Sequence, residues 1–178
     1  MKRRALIATT GTAVVLPKLV FSSKAERAKP QPGDILAHAF GDLAGIPIQP
    51  HEVADNHLFA FPLTIEGVLR NGSLHNQLIV VRLDETAMNA KTRQYATGPF
   101  VAVSASCTHT GCEISGWDAE YSELECPCHG SRFDLLNAAR VINGPATKPL
   151  AYLPIEIKGD EFIVSGKFSR RVGPPPAY

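Results

Sequence analysis

The four cysteines of this chain fall in two short loops, each with a histidine at chelating spacing, and this arrangement limits the possible folds more than any other feature. The first loop is Cys107-Thr108-His109-Thr110-Gly111-Cys112 and the second is Cys126-Pro127-Cys128-His129-Gly130-Ser131. Cys107 with His109, and Cys126 with His129, form two mixed thiolate–imidazole pairs; Cys112 and Cys128 are left over, one in each loop. Three chemistries use such a set. Two disulfides would account for the sulfurs but leave both histidines without a purpose. A structural Cys2His2 zinc site has the right donors, but zinc usually pairs cysteine with cysteine and histidine with histidine in each half. A binuclear iron cluster suits the mixed halves, with two thiolates on one iron and two neutral imidazoles on the other. The imidazoles reduce the ligand charge and so raise the reduction potential.

The loops need a scaffold, and the sequence around them reads as β. Gly and Pro number 14 each, a density that a helical bundle does not tolerate. With 44% hydrophobic and 20% charged residues, the chain is neither wholly disordered nor a multi-span membrane protein. Strand signals begin at Leu58. Phe59 to Ile65 is β-rich but contains Pro62, which predicts an edge strand. Leu78 to Leu83 predicts a buried strand and Phe100 to Ser104 another, while 84–96 is polar and predicts a loop or one helical turn. Tyr152 to Ile157 and Glu161 to Val164 flank Lys158-Gly159-Asp160, a hairpin with a short turn. The reading is a small, antiparallel, all-β domain. Between its strands lies a long stretch, 105–149, too rich in Cys, Gly and Pro for core and therefore functional. Residues 22–33 read as a flexible linker. Residues 34–57, interrupted by Pro47 and Pro50, show no period and read as irregular packing or an extended arm, so that 30–57 is taken as linker. Residues 169–178 read as a Pro-rich tail.

Charge is divided unevenly. Residues 1–29 carry seven Lys/Arg and one acidic residue, whereas 30–178 carry 11 Lys/Arg and 16 Asp/Glu. The acidic body offers no electrostatic case for nucleic-acid binding. The basic start, Lys2-Arg3-Arg4, followed by an apolar stretch, has the form of an export signal, and Arg3-Arg4 before Ala5-Leu6-Ile7 resembles a twin-arginine signal. Ala5 to Phe21 would reach roughly 25 Å as a helix, against a hydrocarbon core of roughly 30 Å. Pro17 and Lys18 weaken it as a span, and Ala25-Glu26-Arg27-Ala28 is a poor cleavage site. Cleaved signal and retained short anchor both stay open. Either places the body on the periplasmic side of the inner membrane, with membrane association through the N-terminus in the second case.

The two loops together resemble the Rieske [2Fe–2S] family over roughly residues 58–168. The resemblance implies an antiparallel Rieske-type β-sandwich with the cluster-binding subdomain (105–149) inserted between strands. It also implies one [2Fe–2S] cluster per chain, with Cys107 and Cys126 on the inner iron, His109 and His129 on the outer iron, and a Cys112–Cys128 disulfide tying the loops together. A disulfide agrees with export and points to the high-potential branch, found in quinol–cytochrome c oxidoreductases and arsenite oxidases, rather than to cytosolic Rieske ferredoxins. Gly144-Pro145-Ala146 matches the family's proline loop over the cluster, with Thr147 where a second proline is common. Ser131 matches a serine whose hydroxyl reaches a bridging sulfide, and Phe133 stands where high-potential members often carry a tyrosine. Thr110 replaces a leucine common beside the quinol pocket.

The implied function is one-electron transfer without independent catalysis, between redox protein partners such as a cytochrome b or c or a molybdenum subunit. With a quinol as donor, His109 or His129 would take its proton. A stand-alone exported Rieske protein and a non-redox zinc module are the remaining readings. Glu113, Asp118, Glu120, Glu123 and Glu125 read as a solvated face or a docking patch for a basic partner. Trp117 reads as core packing or a partner contact. His38, His51, His57 and His75 read as ordinary surface or packing residues.

Overall fold

The structure, a computed structural model, describes residues 24–53 and 57–176; the expected signal or anchor at the N-terminus lies outside them. Eleven strands form among the described residues: β1 (Ile35–His38), β2 (Leu58–Leu63), β3 (Leu78–Arg82), β4 (Phe100–Ser104), β5 (Gly116–Asp118), β6 (Glu123–Cys126), β7 (Ser131–Asp134), β8 (Arg140–Asn143), β9 (Tyr152–Leu153), β10 (Ile155–Lys158) and β11 (Glu161–Val164). They make a seven-stranded antiparallel sheet, ordered β10-β11-β1-β2-β3-β4-β9, and a four-stranded meander, β5-β6-β7-β8. The helices, Lys24–Arg27 and Ala90–Arg93, are one turn each. Among the described residues no helix is long and apolar enough to cross a membrane.

The large sheet curls. Its two outermost strands, β9 and β10, are separated along the chain by Pro154 alone, so its ends meet on one continuous segment. Inside the curl lies a core drawn from nearly every strand, including Leu36, Ala60, Leu78, Val80, Ala102, Leu153, Ile155 and Phe162. The opposite face of β3 and β4 supplies Ile79, Val81, Val101 and Val103 to a second core beneath the meander, with Ile114, Leu124, Phe133 and Leu135. Burial on both faces explains why β3 reads as an unbroken apolar run instead of an alternating one.

Four expectations need correction. The stretch 105–149 is not merely loop: it folds the meander and furnishes much of the second core. The apolar residues that do so alternate with polar ones on short strands, which masks them in a Cys- and Gly-rich segment. Residues 34–53 are not an arm: β1 lies inside the sheet between β11 and β2, and only beyond it does the other alternative, irregular packing, hold, with Ile48 and Val53 fully buried. Four residues are too few to show a period. Pro62 is not on an edge strand of the sheet. Its carbonyl accepts Arg70 N (2.8 Å) on the side where β3 has already parted from β2, whose pairing with β3 covers Leu58 to Ala60. The missing N–H therefore costs no ladder bond there. Finally, residues 169–174 are packed against the body. Ser169 exchanges hydrogen bonds with Tyr152 (2.8 and 3.0 Å), and Gly173 fits against Ser106 and His75.

A buried ion pair ties the N-terminal segment to the body. Arg70 Nε and Nη2 donate to the Asp34 carboxylate at 2.6 and 3.0 Å, and Nη1 donates to Ala25 O at 3.0 Å. Asn76 Nδ2 donates to Ala28 O at 2.8 Å. The described part of the expected flexible linker 22–33, residues 24–33, is held by these bonds.

Candidate metal centre

The two cysteine–histidine loops leave from the ends of paired strands. Ala105, just past β4, still bonds to the strand before it (N to Gln77 O, 3.0 Å), after which the chain turns. Cys107 N donates to Cys112 O at 2.8 Å and Gly111 N to Cys107 O at 3.0 Å, closing the first loop. The second loop is the connection from β6 to β7: Cys126 and Ser131 are register partners, and Gly130 N donates to Cys126 O at 3.0 Å. A disulfide joins Cys112 to Cys128 across the two loops, with Cα atoms 6.6 Å apart.

This clamp brings the four remaining donors to one end of the molecule. Cys107 and Cys126 are free thiols, each 1% exposed. His109 is half-buried and His129 exposed, with ring centroids 4.8 Å apart and planes nearly perpendicular at 89°. Burial pushes the Cys107 thiol up, opposed by main-chain hydrogen bonds from His109 and Thr110 and reinforced by the adjacent Cys126 sulfur. Cys126 Sγ also lies within 4.8 Å of both disulfide sulfurs, but sulfurs bonded to each other offer no thiolate to a metal, so those three are not a ligand set.

The donors fit an iron–sulfur cluster on one specific observation. His109 Nδ1 is buried and has no hydrogen-bond partner among the described residues. Leaving such an atom unsatisfied costs about 1–3 kcal/mol, and a metal bond removes that cost. Two soft, buried sulfurs and two imidazoles nearer the surface would suit a [2Fe–2S] centre with mixed ligation.

The third loop packs closely on the second. Ala146 N donates to Ser131 Oγ at 3.2 Å, and Ser131 is fully buried. Gly144 has φ +82°, and a Cβ built there would lie 2.5 Å from Ser131 Cα and 2.7 Å from Ser131 N. Both contacts are with backbone, so neither can swing aside. Gly144→Ala is expected to cost about 2–4 kcal/mol in unfolding free energy, measured by denaturant or thermal melting; a loss below about 0.5 kcal/mol would show that the loop adapts freely. Pro145 is exposed beside it, and Phe133 is fully buried in the core under the meander.

Sequence reasoning passed over several supports of the site. Thr108 Oγ1 donates to Lys148 O at 2.6 Å, joining the first loop to the chain after the third. Gln77 Nε2 donates to Glu113 Oε2 at 2.8 Å. Arg132 bonds Glu123 at 2.8 Å and Asp118 at 3.0 Å, with Glu125 at 3.9 Å, so these acidic residues surround a cation instead of forming a purely solvated face. The alternation of charge along β7 and β6 was the available signal, since Glu125 and Arg132 are register partners. Trp117 is half-buried against the second core.

A family model described as the Rieske [2Fe–2S] domain matches residues 66–154. A cytochrome bc1 complex Rieske iron–sulfur subunit from Streptomyces lividans is 35% identical over 134 residues, covering 72% of this chain and 79% of that one. A putative respiratory nitrate reductase subunit Rieske from Haloferax mediterranei is 34% identical over 98 residues, covering 54% and 44%. Further bc1 Rieske subunits, from Streptomyces coelicolor and Mycobacterium tuberculosis, are matched over only 38% and 25% of their lengths. Among solved structures, the plasma membrane Rieske protein of Synechocystis PCC 6803 is similar at a TM-score of 0.45 and 24% identity, covering 66% of this chain and 95% of that one. With half of the chain matched by the family model, and the thiols, imidazoles and disulfide gathered at one tip, the chain belongs to the Rieske [2Fe–2S] domain family.

Proposed function

We propose that this Rieske electron carrier works outside the cytoplasm, as the iron–sulfur subunit of a quinol–cytochrome c oxidoreductase-like complex. The [2Fe–2S] group supplies one-electron exchange when bound. Cys107 and Cys126 would hold one iron of the group, and His109 and His129 the other. The observation that carries this reading is the gradient of burial: both thiols are sealed inside, while the imidazole of His129 is exposed at the tip. A partner that docks there meets the ligand edge directly. The named bc1 relatives support the choice of complex. Export rests on Arg3-Arg4 and the apolar stretch after it.

The Haloferax relative, named for a respiratory reductase, favours a second reading: a small electron-transfer subunit of an exported oxidoreductase such as a molybdenum enzyme. Thr110 and Phe133 depart from the quinol branch, whereas the Gly130-Ser131 pair resembles it. Purification of the chain from native membranes under mild detergent separates the two. Co-elution of a cytochrome b supports the first, co-elution of a molybdenum subunit supports the second, and elution of the carrier without a redox partner refutes both.

Two side chains tune the potential. Ser131 Oγ already accepts from Ala146 N, so its own hydrogen is available to donate towards a cluster sulfur. Such donors stabilise the reduced, more negative state. Ser131→Ala should lower the potential and Phe133→Tyr should raise it, within a span of roughly −150 to +300 mV. Protein-film voltammetry reads both, and two unshifted variants would defeat the assignment.

A further inference from the structure

A cavity of about 770 Å³ opens where the segment around Lys29 meets the chain from Lys167 to Val172, beside His75. Four cations, Lys29, Lys167, Arg170 and Arg171, line it together with His75, and no carboxylate does. None of the four has an ion pair among the described residues. Arg170 Nε is also buried without a hydrogen-bond partner. Three of the four belong to residues 30–178, in which acidic residues outnumber Lys and Arg by 16 to 11. Four like charges around one cavity repel one another, and a buried guanidinium N–H with no acceptor costs free energy. Phe168 adds an apolar wall.

We propose that this cavity binds a phosphate-bearing anion. Phosphate oxygens accept from guanidinium groups in the paired geometry that arginine favours, and a doubly charged group relieves the repulsion among the four cations. The cavity is also larger than a single phosphate needs, which suits a headgroup with further atoms. A phospholipid headgroup and a free phosphate share this chemistry. The chain's own layout gives the lipid a route: Lys29 follows Phe21 by eight residues, and with Lys24–Arg27 helical the link spans at most roughly 22 Å. If the apolar stretch Ala5 to Phe21 enters a bilayer, the cavity lies within reach of the headgroups.

The test uses the full, cluster-loaded chain in a mild non-ionic detergent at low salt and reads the melting temperature, which rises when a ligand binds the folded state. The probes are inorganic phosphate, mixed micelles containing phosphatidylglycerol, and mixed micelles containing phosphatidylcholine, whose headgroup is zwitterionic. The variant is Lys29→Gln with Arg171→Gln; both residues are exposed, and because Arg171→Gln gives up an exposed hydrogen bond to Pro174 O (3.1 Å), each shift is read against the variant's own ligand-free melting temperature. Lys158→Gln, on β10 and outside the cavity, is the control for overall charge. Saturable stabilisation by phosphatidylglycerol but not phosphatidylcholine, with apparent affinity reduced about tenfold or more in the double variant and unchanged in the control, is the expected result and identifies the headgroup as the source. Equal stabilisation by inorganic phosphate identifies a free anion as sufficient and also supports the site. No stabilisation by either probe, or stabilisation that the double variant retains in full, overturns the proposal.

Discussion

Cys107→Ser is expected to abolish cluster binding: iron and acid-labile sulfide should fall to background, and the reduced-state EPR signal should vanish. A serine hydroxyl is a hard, weakly acidic donor and a poor substitute for thiolate on iron. Cys107 is 1% exposed, so no water stands ready to take the vacant position. The chain should nevertheless fold, because Cys107 is one of many buried side chains in the second core and serine nearly matches its size. The informative control is Cys112→Ser with Cys128→Ser, which removes the disulfide and keeps all four proposed ligands. The bridge spans 16 residues, for which loop-closure entropy gives about 3 kcal/mol. That variant should lose stability and still bring iron and sulfide with it when first purified. Full iron content in Cys107→Ser, or zinc in place of iron in the wild-type protein, would remove the basis for the ligand assignment.

Arg70→Met should destabilise the chain by about 3–5 kcal/mol, because it leaves the Asp34 carboxylate buried and unpaired. The Asp34 side chain is 5% exposed and that of Arg70 9%, so water cannot replace the lost partner. In a domain of this size the melting temperature should fall by roughly 10 °C or more. The same substitution frees Ala25 O, so protease cleavage between residues 24 and 33 should accelerate along with the loss of stability. Asp34→Leu combined with Arg70→Met removes both charges and should recover a large part of the loss. A single variant that melts within a degree of the wild type would show that the pair contributes nothing, and a double variant no better than the single would assign the cost to packing.

The legible parts of this fold were those with a local signal. The hairpin from β10 to β11 was readable because two β-rich runs flank a glycine-bearing turn, and Lys158 and Glu161 do pair across it. β3 was readable because both of its faces are buried. β1 was not: it has only four residues, the Pro32-Gly33-Asp34 turn before it read as linker, and its place inside the sheet comes from pairing with β2 and β11, β11 lying far away in sequence. Pro62 misled because proline reports a missing donor without reporting which side of the strand lacks a neighbour. At the candidate site, residue types and spacing pointed to the loops, since metal donors must be Cys or His. The supports around them were invisible for the opposite reason. Thr108, Gln77 and Arg132 are ordinary polar residues whose roles come only from partners brought close by folding.

The bend at Pro154 has a consequence for how the molecule behaves among copies of itself. Because β9 and β10 adjoin along the chain, the two borders of the large sheet lie next to each other, and they are only the two-residue β9 and the four-residue β10. Unpaired strand borders are where foreign chains add on and aggregates start. The architecture that holds the redox tip in place therefore also leaves little backbone for intermolecular strand addition, and confines that hazard largely to β5 and β8 at the margins of the small meander.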